Sequence, residues 1–272
     1  MSDPASQQPA LLSVSDLHTG YSTGEIVHGI SFEVAQNSFV CIIGANGCGK
    51  TTALRAILGL LPATGGEVRI NGKPTRRMSP RELARHFAYI PQVHRPPFPF
   101  RVADVVLMGR TPYLSSVAGN PSSTDKTIAW QAIQQLSIEH LADSEYTQLS
   151  GGQQQLVLIA RALAQQPSIL IMDEPTASLD FGNQQLVLTR MHRLARSGMA
   201  VLMVTHDPDH ALFCADEVQI MEDGLIIQSG PPAEVITTES LQRIYHARVY
   251  VADVEVEPGL CMRTCIPLME VD

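Results

Sequence analysis

The run Gly44-Ala45-Asn46-Gly47-Cys48-Gly49-Lys50-Thr51 sets glycines, a lysine and a hydroxyl in the order G-x-x-x-x-G-K-T. Glycines let a backbone curl until successive N–H groups point at one phosphate. Lys50 adds a mobile positive charge, and the Thr51 hydroxyl suits Mg2+, which takes oxygen ligands in octahedral array. Thr52 is expected at another phosphate. A second set of groups ends the apolar run Ile169-Leu170-Ile171-Met172 with Asp173 and Glu174. There Asp173 would hold Mg2+ through a water, and Glu174 would polarise an attacking water as general base. A third set, Leu149-Ser150-Gly151-Gly152-Gln153, opens a stretch that reads as helix to about Ala164. Ser150 and the glycine N–H groups, backed by the helix dipole, make a second anion site.

These groups need a scaffold, and the hydrophobic pattern supplies one. Phe39 to Ile43, Ile169 to Met172 and Ala200 to Val204 are short, wholly apolar runs of the kind buried on both faces of a parallel sheet. The first feeds the glycine loop, and a helix from Thr51 to Leu60 follows it, which is the setting a phosphate loop requires. A helix from Gln184 to Arg196, with Leu186, Met191 and Leu194 inward, separates the other two, so right-handed crossovers are expected. Leu11 to Leu17 and Ile30 to Val34 alternate as antiparallel strands, and Val68 to Ile70 ends in an Asn71-Gly72 turn. Between Gln92 and Gln166 no buried strand occurs, while Ala129, Ala132, Ile133 and Leu136 recur at helical spacing. The fold class is α/β: a P-loop NTPase (RecA-like) core with a mixed sheet, an N-terminal antiparallel β part and an inserted helical subdomain. The expected boundaries are an ATPase domain over 1–240 (core 10–92 and 167–240, helical subdomain 93–166) and a C-terminal extension over 241–272. Prolines and phenylalanines from Arg95 to Phe100 predict a stiff loop bearing aromatic rings.

One chain carries two phosphate cradles too far apart in chain position and role to share a nucleotide. A symmetric dimer that sandwiches each ATP between opposite motifs resolves this. On these residues the chain resembles the nucleotide-binding subunit of ABC transporters over about residues 10 to 240, and Leu149 to Gln153 is that family's signature. The resemblance implies further roles. Tyr21 is similar to the aromatic that stacks on adenine, and Gln92, after Ala88-Tyr89-Ile90-Pro91, to the glutamine that touches Mg2+ and the attacking water. Ser178-Leu179-Asp180 resembles the loop that crosses the dimer interface. His206, in Val204-Thr205-His206-Asp207, resembles the switch histidine at the γ-phosphate, where an imidazole can donate to transition-state oxygens. Leu156 stands where many members carry arginine.

Val105-Val106-Leu107-Met108-Gly109-Arg110-Thr111-Pro112-Tyr113 resembles the ATPases of importers for iron chelates, haem and cobalamin, and Leu156 to Ala160 a related molybdate branch. The resemblance implies ATP and Mg2+ as cofactors. It implies three kinds of partner: a second copy, integral membrane permease subunits and, indirectly, a substrate-binding protein. The expected place is peripheral, on the cytoplasmic face of the membrane. An exporter ATPase is the nearer rival, and a soluble ABC ATPase acting on nucleic acid or ribosomes the more distant one. Against nucleic acid stands the net charge of −8, from 19 basic and 27 acidic residues. No run reaches the roughly 20 apolar residues of a bilayer span, and Met1 to Leu12 does not read as a secretory signal. Five cysteines, one inside the phosphate loop, argue against a disulfide framework, and Cys261 and Cys265 read as packed or idle thiols.

Overall fold

The opening strands bury alternate apolar side chains along part of their length. In β1 (Ala10–Tyr21) these are Leu12 and Val14, and in β2 (Gly24–Ala35) Ile30, Phe32 and Val34. Between Val14 and Leu17 the register slips at an irregularity where Asp16 takes a φ of 50°, so Leu17 still faces inward. Both strands run longer than their apolar cores because the two-residue turn Ser22-Thr23 lets pairing continue to Tyr21 and Gly24. The computed structural model describes residues 10–92, 98–114 and 119–268. The chain divides into two units, Met1–Arg76 with Ala195–Asp272, and Arg77–Leu194.

The first unit continues with β3 (Phe39–Ile43), α1 (Lys50–Ile57), β4 (Ala63–Ile70) and β5 (Lys73–Pro74). The second holds α2 (Pro80–His86), β6 (Phe87–Ile90), α3 (Val102–Leu107), α4 (Ser123–Gln135), α5 (Gly151–Ala164), β7 (Ile169–Asp173) and most of α6 (Phe181–Arg196). The chain returns to the first unit as β8 (Ala200–Thr205), α7 (Pro208–Cys214), β9 (Glu217–Glu222) and β10 (Leu225–Gly230). It ends with α8 (Pro232–Val235), α9 (Thr238–Tyr245) and a hairpin of β11 (Val249–Glu257) and β12 (Leu260–Pro267).

In the first unit one sheet is antiparallel, ordered β2-β1-β4-β5. In the other, β3 lies between β8 and β9 and is parallel to both, with β10 antiparallel on β9. All five residues of β3 and all six of β8 are buried, which is why they read as unbroken apolar runs. In the second unit β6 and β7 pair in parallel. There α3, α4 and α5 pack on one another, and Ala129, Ala132, Ile133 and Leu136 are all buried.

Two sequence expectations need correction. Helix α1 stops at Ile57 rather than Leu60, because Gly59 turns left-handed (φ 72°) and the N–H groups of Leu60 and Leu61 close on the Arg55 carbonyl. Leu186 is exposed rather than inward. Met191 and Leu194 face inward as expected, and the buried stripe of α6 is completed by Val187, Leu188 and Ala195. All five cysteines are free thiols. Among the described residues no helix is long and apolar enough to cross a membrane.

Candidate nucleotide site

In the first unit the phosphate loop hangs between β3 and α1. Gly44 tolerates no side chain, since a Cβ there would lie 2.2 Å from the Met221 carbonyl oxygen. Gly47 (φ 85°) and Gly49 (φ 108°) take left-handed backbone that exposes the loop's N–H groups. Lys50 is buried, and its Nζ donates to the carbonyls of Gly44 (2.8 Å) and Ala45 (2.9 Å). No carboxylate pairs with it among the described residues. A buried ammonium held by two carbonyl dipoles and the Cys48 thiol suits an incoming anion, so the loop fits a polyphosphate. Cys48 packs beneath it, its thiol pushed up by burial against an opposing pull from Lys50. Thr51 is half-buried and Thr52 buried at the start of α1.

Tyr21, the last residue of β1, keeps an exposed ring, and Arg55 of α1 donates to its hydroxyl at 2.9 Å. His206 follows directly on β8 and is exposed. Its backbone carbonyl accepts from the Tyr245 hydroxyl at 2.8 Å. Asp207 caps α7 by accepting from the Asp209 N–H.

In the second unit the carboxylates stand at the end of β7. Asp173 is buried and Tyr89 donates to its Oδ2 at 3.4 Å. Glu174 takes a left-handed φ of 47°, a strained backbone for a residue with a side chain, and Gln92 Nε2 donates to its Oε2 at 2.7 Å. The structure thus joins Gln92 and Glu174, residues 82 apart in the chain.

The signature begins α5 with a capping box: the Gln153 N–H donates to Ser150 Oγ (3.3 Å), and the Ser150 N–H to Gln153 Oε1 (3.0 Å). A Cβ on Gly152 would sit 2.3 Å from the Asn183 side chain, while one on Gly151 would meet Leu179 at 3.6 Å. Asp180 accepts from both the backbone N–H and the side-chain amide of Asn183 at the head of α6. Leu156 lies in the buried face of α5.

The Val105 to Tyr113 segment has a packing role that its pattern did not disclose. At Gly109 a Cβ would fall 2.2 Å from the Arg161 carbonyl oxygen of α5. Arg110 is buried, bonding Asp125 (2.9 Å), the Ala164 carbonyl (2.8 Å) and Gln166 (3.0 Å), with its guanidinium 3.9 Å over the Tyr113 ring. Hydrogen bonds from Ser122, and then from Arg110, hold the Asp125 carboxyl below its usual range. Of the proline-rich loop, Phe98 and Phe100 are exposed and meet edge to face at 5.9 Å, while Arg95 to Pro97 fall outside the described residues. Arg55 and Tyr245 are the contacts that sequence reasoning missed. Nothing short-range marks either, because both depend on chain segments 34 and 39 residues away.

A family profile described as "ABC transporter" matches residues 27–177. An uncharacterized ABC transporter ATP-binding protein of Haemophilus influenzae is 45% identical over 235 residues, covering 86% of this chain and 89% of that protein. The hemin import ATP-binding protein HmuV of Nocardia farcinica is 38% identical over 228 residues, covering 84% and 78%. Among solved structures, a metal-chelate type ABC transporter in an inward-facing conformation superposes with a TM-score of 0.85 at 30% identity, covering 96% of this chain and 98% of that one. With its phosphate loop, signature and paired carboxylates in place, the chain belongs to the ABC transporter family, as an ATP-binding subunit whose ATPase activity is coupled to transport.

Proposed function

We propose that two copies of this chain close around two Mg-ATP and drive uptake of a metal chelate of the siderophore, haem or cobalamin class. They would act through integral membrane permease subunits fed by a substrate-binding protein, with the ATPase peripheral on the cytoplasmic face. The likeness that carries the cargo class is the hemin import relative at 38% identity, supported by the metal-chelate type neighbour along nearly the whole chain.

In this reading the loop N–H groups from Gly44 to Gly49 and Lys50 take the β- and γ-phosphates, with Thr52 beside them and Tyr21 stacked on adenine. Thr51, Gln92 and, through a water, Asp173 would hold magnesium, which would supply positive charge to the phosphate oxygens. Glu174 accepts the proton of the attacking water. Its bond from Gln92 keeps the base from swinging away. His206 donates to the γ-phosphate oxygens. From the second copy come Ser150, Gly151, Gly152 and Gln153. Since the Ser150 oxygen already accepts from Gln153, its proton remains to donate to phosphate. Asp180 crosses between copies. Closure then moves the helical region between access states, with the exposed Phe98 and Phe100 as part of the seat for a permease helix.

The test is reconstitution with the permease and binding protein, followed by uptake assays with haem, ferric siderophore, cobalamin and molybdate. Stimulation by one of the chelates is expected. Stimulation by molybdate alone would replace the cargo class with the oxyanion alternative.

A further inference from the structure

Helix α9 reaches the phosphate loop from the C-terminal part of the chain. The pocket at the loop's mouth, about 380 Å³, is lined by Ala45 to Cys48 and also by Ile244 and His246. Tyr245 stands between those last two. Buried Leu241 and Ile244 anchor its helix, as does an ion pair from Arg243 Nε to Glu222 Oε2 at 3.0 Å. His246, left-handed at φ 50°, ends α9 immediately after the tyrosine. The Tyr245 hydroxyl donates to the His206 carbonyl at 2.8 Å.

We infer that Tyr245 is a positioning residue for ATP hydrolysis, whose hydroxyl holds the backbone of His206 from a helix end that lines the mouth of the phosphate loop. The inference rests on the proposed role of His206. Its physical basis is that β8 ends at Thr205, so the His206 carbonyl has left the sheet and needs a partner elsewhere. A hydroxyl on the helix that lines the loop's mouth, donating to the switch, fixes where His206 stands beside the loop. Burial keeps the phenol protonated, its pKa pushed well up, so it remains a donor at neutral pH. A second strut braces the following turn: Asp209 Oδ1 accepts from the Cys265 N–H (2.9 Å) and from Thr264 Oγ1 (3.2 Å) of β12.

The experiment compares Tyr245→Phe with the wild-type chain for kcat, KM, Kd for a fluorescent ATP analogue with Mg2+, and melting temperature, and repeats the substitution in a His206→Ala background. Removing one neutral hydrogen bond predicts a roughly two- to tenfold fall in kcat, with KM and Kd essentially unchanged and the melting temperature lower by no more than about 6 °C. In the His206→Ala background the same substitution should leave the residual rate unaltered. Wild-type kcat in Tyr245→Phe would overturn the inference. So would a loss of Kd and melting temperature in step with kcat, or an equal loss without the histidine. A wild-type chain with no ATPase activity would instead defeat the proposed function, and this inference with it.

Discussion

Replacing Gly109 by alanine tests how the importer-like segment is seated. The added Cβ would lie 2.2 Å from the Arg161 carbonyl oxygen and 3.2 Å from the Ala164 Cβ. The first is a backbone atom inside α5 and cannot swing aside, so the segment after α3 must lift from the signature helix. Overpacking of this kind costs about 1–3 kcal/mol. For a chain of this size each kcal/mol moves the melting temperature by roughly 2–4 °C, so a drop of about 2–12 °C is expected. Gly182→Ala is the control. Its Cβ would meet only Asp180 Oδ1, at 3.7 Å, and alanine is the better helix former by roughly 1 kcal/mol, so that variant should melt no lower than wild type. Thermal unfolding followed by far-UV circular dichroism reads both. A Gly109→Ala protein that melts within 1 °C of wild type would show that this close approach is not tight.

Four further outcomes are expected. Glu174→Gln should bind ATP as wild type does and lose turnover by roughly a hundredfold or more; near-normal hydrolysis would remove the general-base role. Ser150→Arg should abolish hydrolysis while the single chain still titrates a fluorescent ATP analogue, and persisting activity would contradict a shared site between copies. Truncation after Val249 should retain basal ATPase, because Tyr245 stays in place; complete loss in a folded product would mean that the hairpin carries an essential contact. His210 is nearly buried, and desolvation lowers its pKa against the opposing pull of Asp207. Because its folded value lies below its unfolded one, its contribution to stability is present above the ordinary imidazole range and is lost as pH falls toward the depressed value. His210→Gln should therefore flatten the fall in melting temperature between neutral and mildly acidic pH, and an unchanged slope would place that fall elsewhere.

Legibility in the sequence followed the distance over which each feature is determined. The phosphate loop needs only neighbours: one strand, one turn and one helix, all contiguous from Phe39 to Ile57. β7 and β8 were equally plain, because burial on both faces leaves an unbroken apolar run. The inner face of α6 was misjudged at Leu186, which stands five residues before Met191, whereas Val187 and Leu188 stand four and three before it, the spacing of one helix face. The meeting of Gln92 and Glu174 came only from the family resemblance, and the hydroxyl of Tyr245 was out of reach of any pattern. Each joins segments whose approach is set by the packing of the elements between them.

The backbone of Glu174 has an evolutionary consequence. Its left-handed φ of 47° costs an ordinary residue roughly 1–2 kcal/mol, which glycine would not incur. Under the general-base role proposed for Glu174, directed evolution for heat resistance alone would therefore tend to erase the carboxylate, yielding a sturdier, idle protein. Libraries screened for durability should hold codon 174 constant, or score turnover alongside melting.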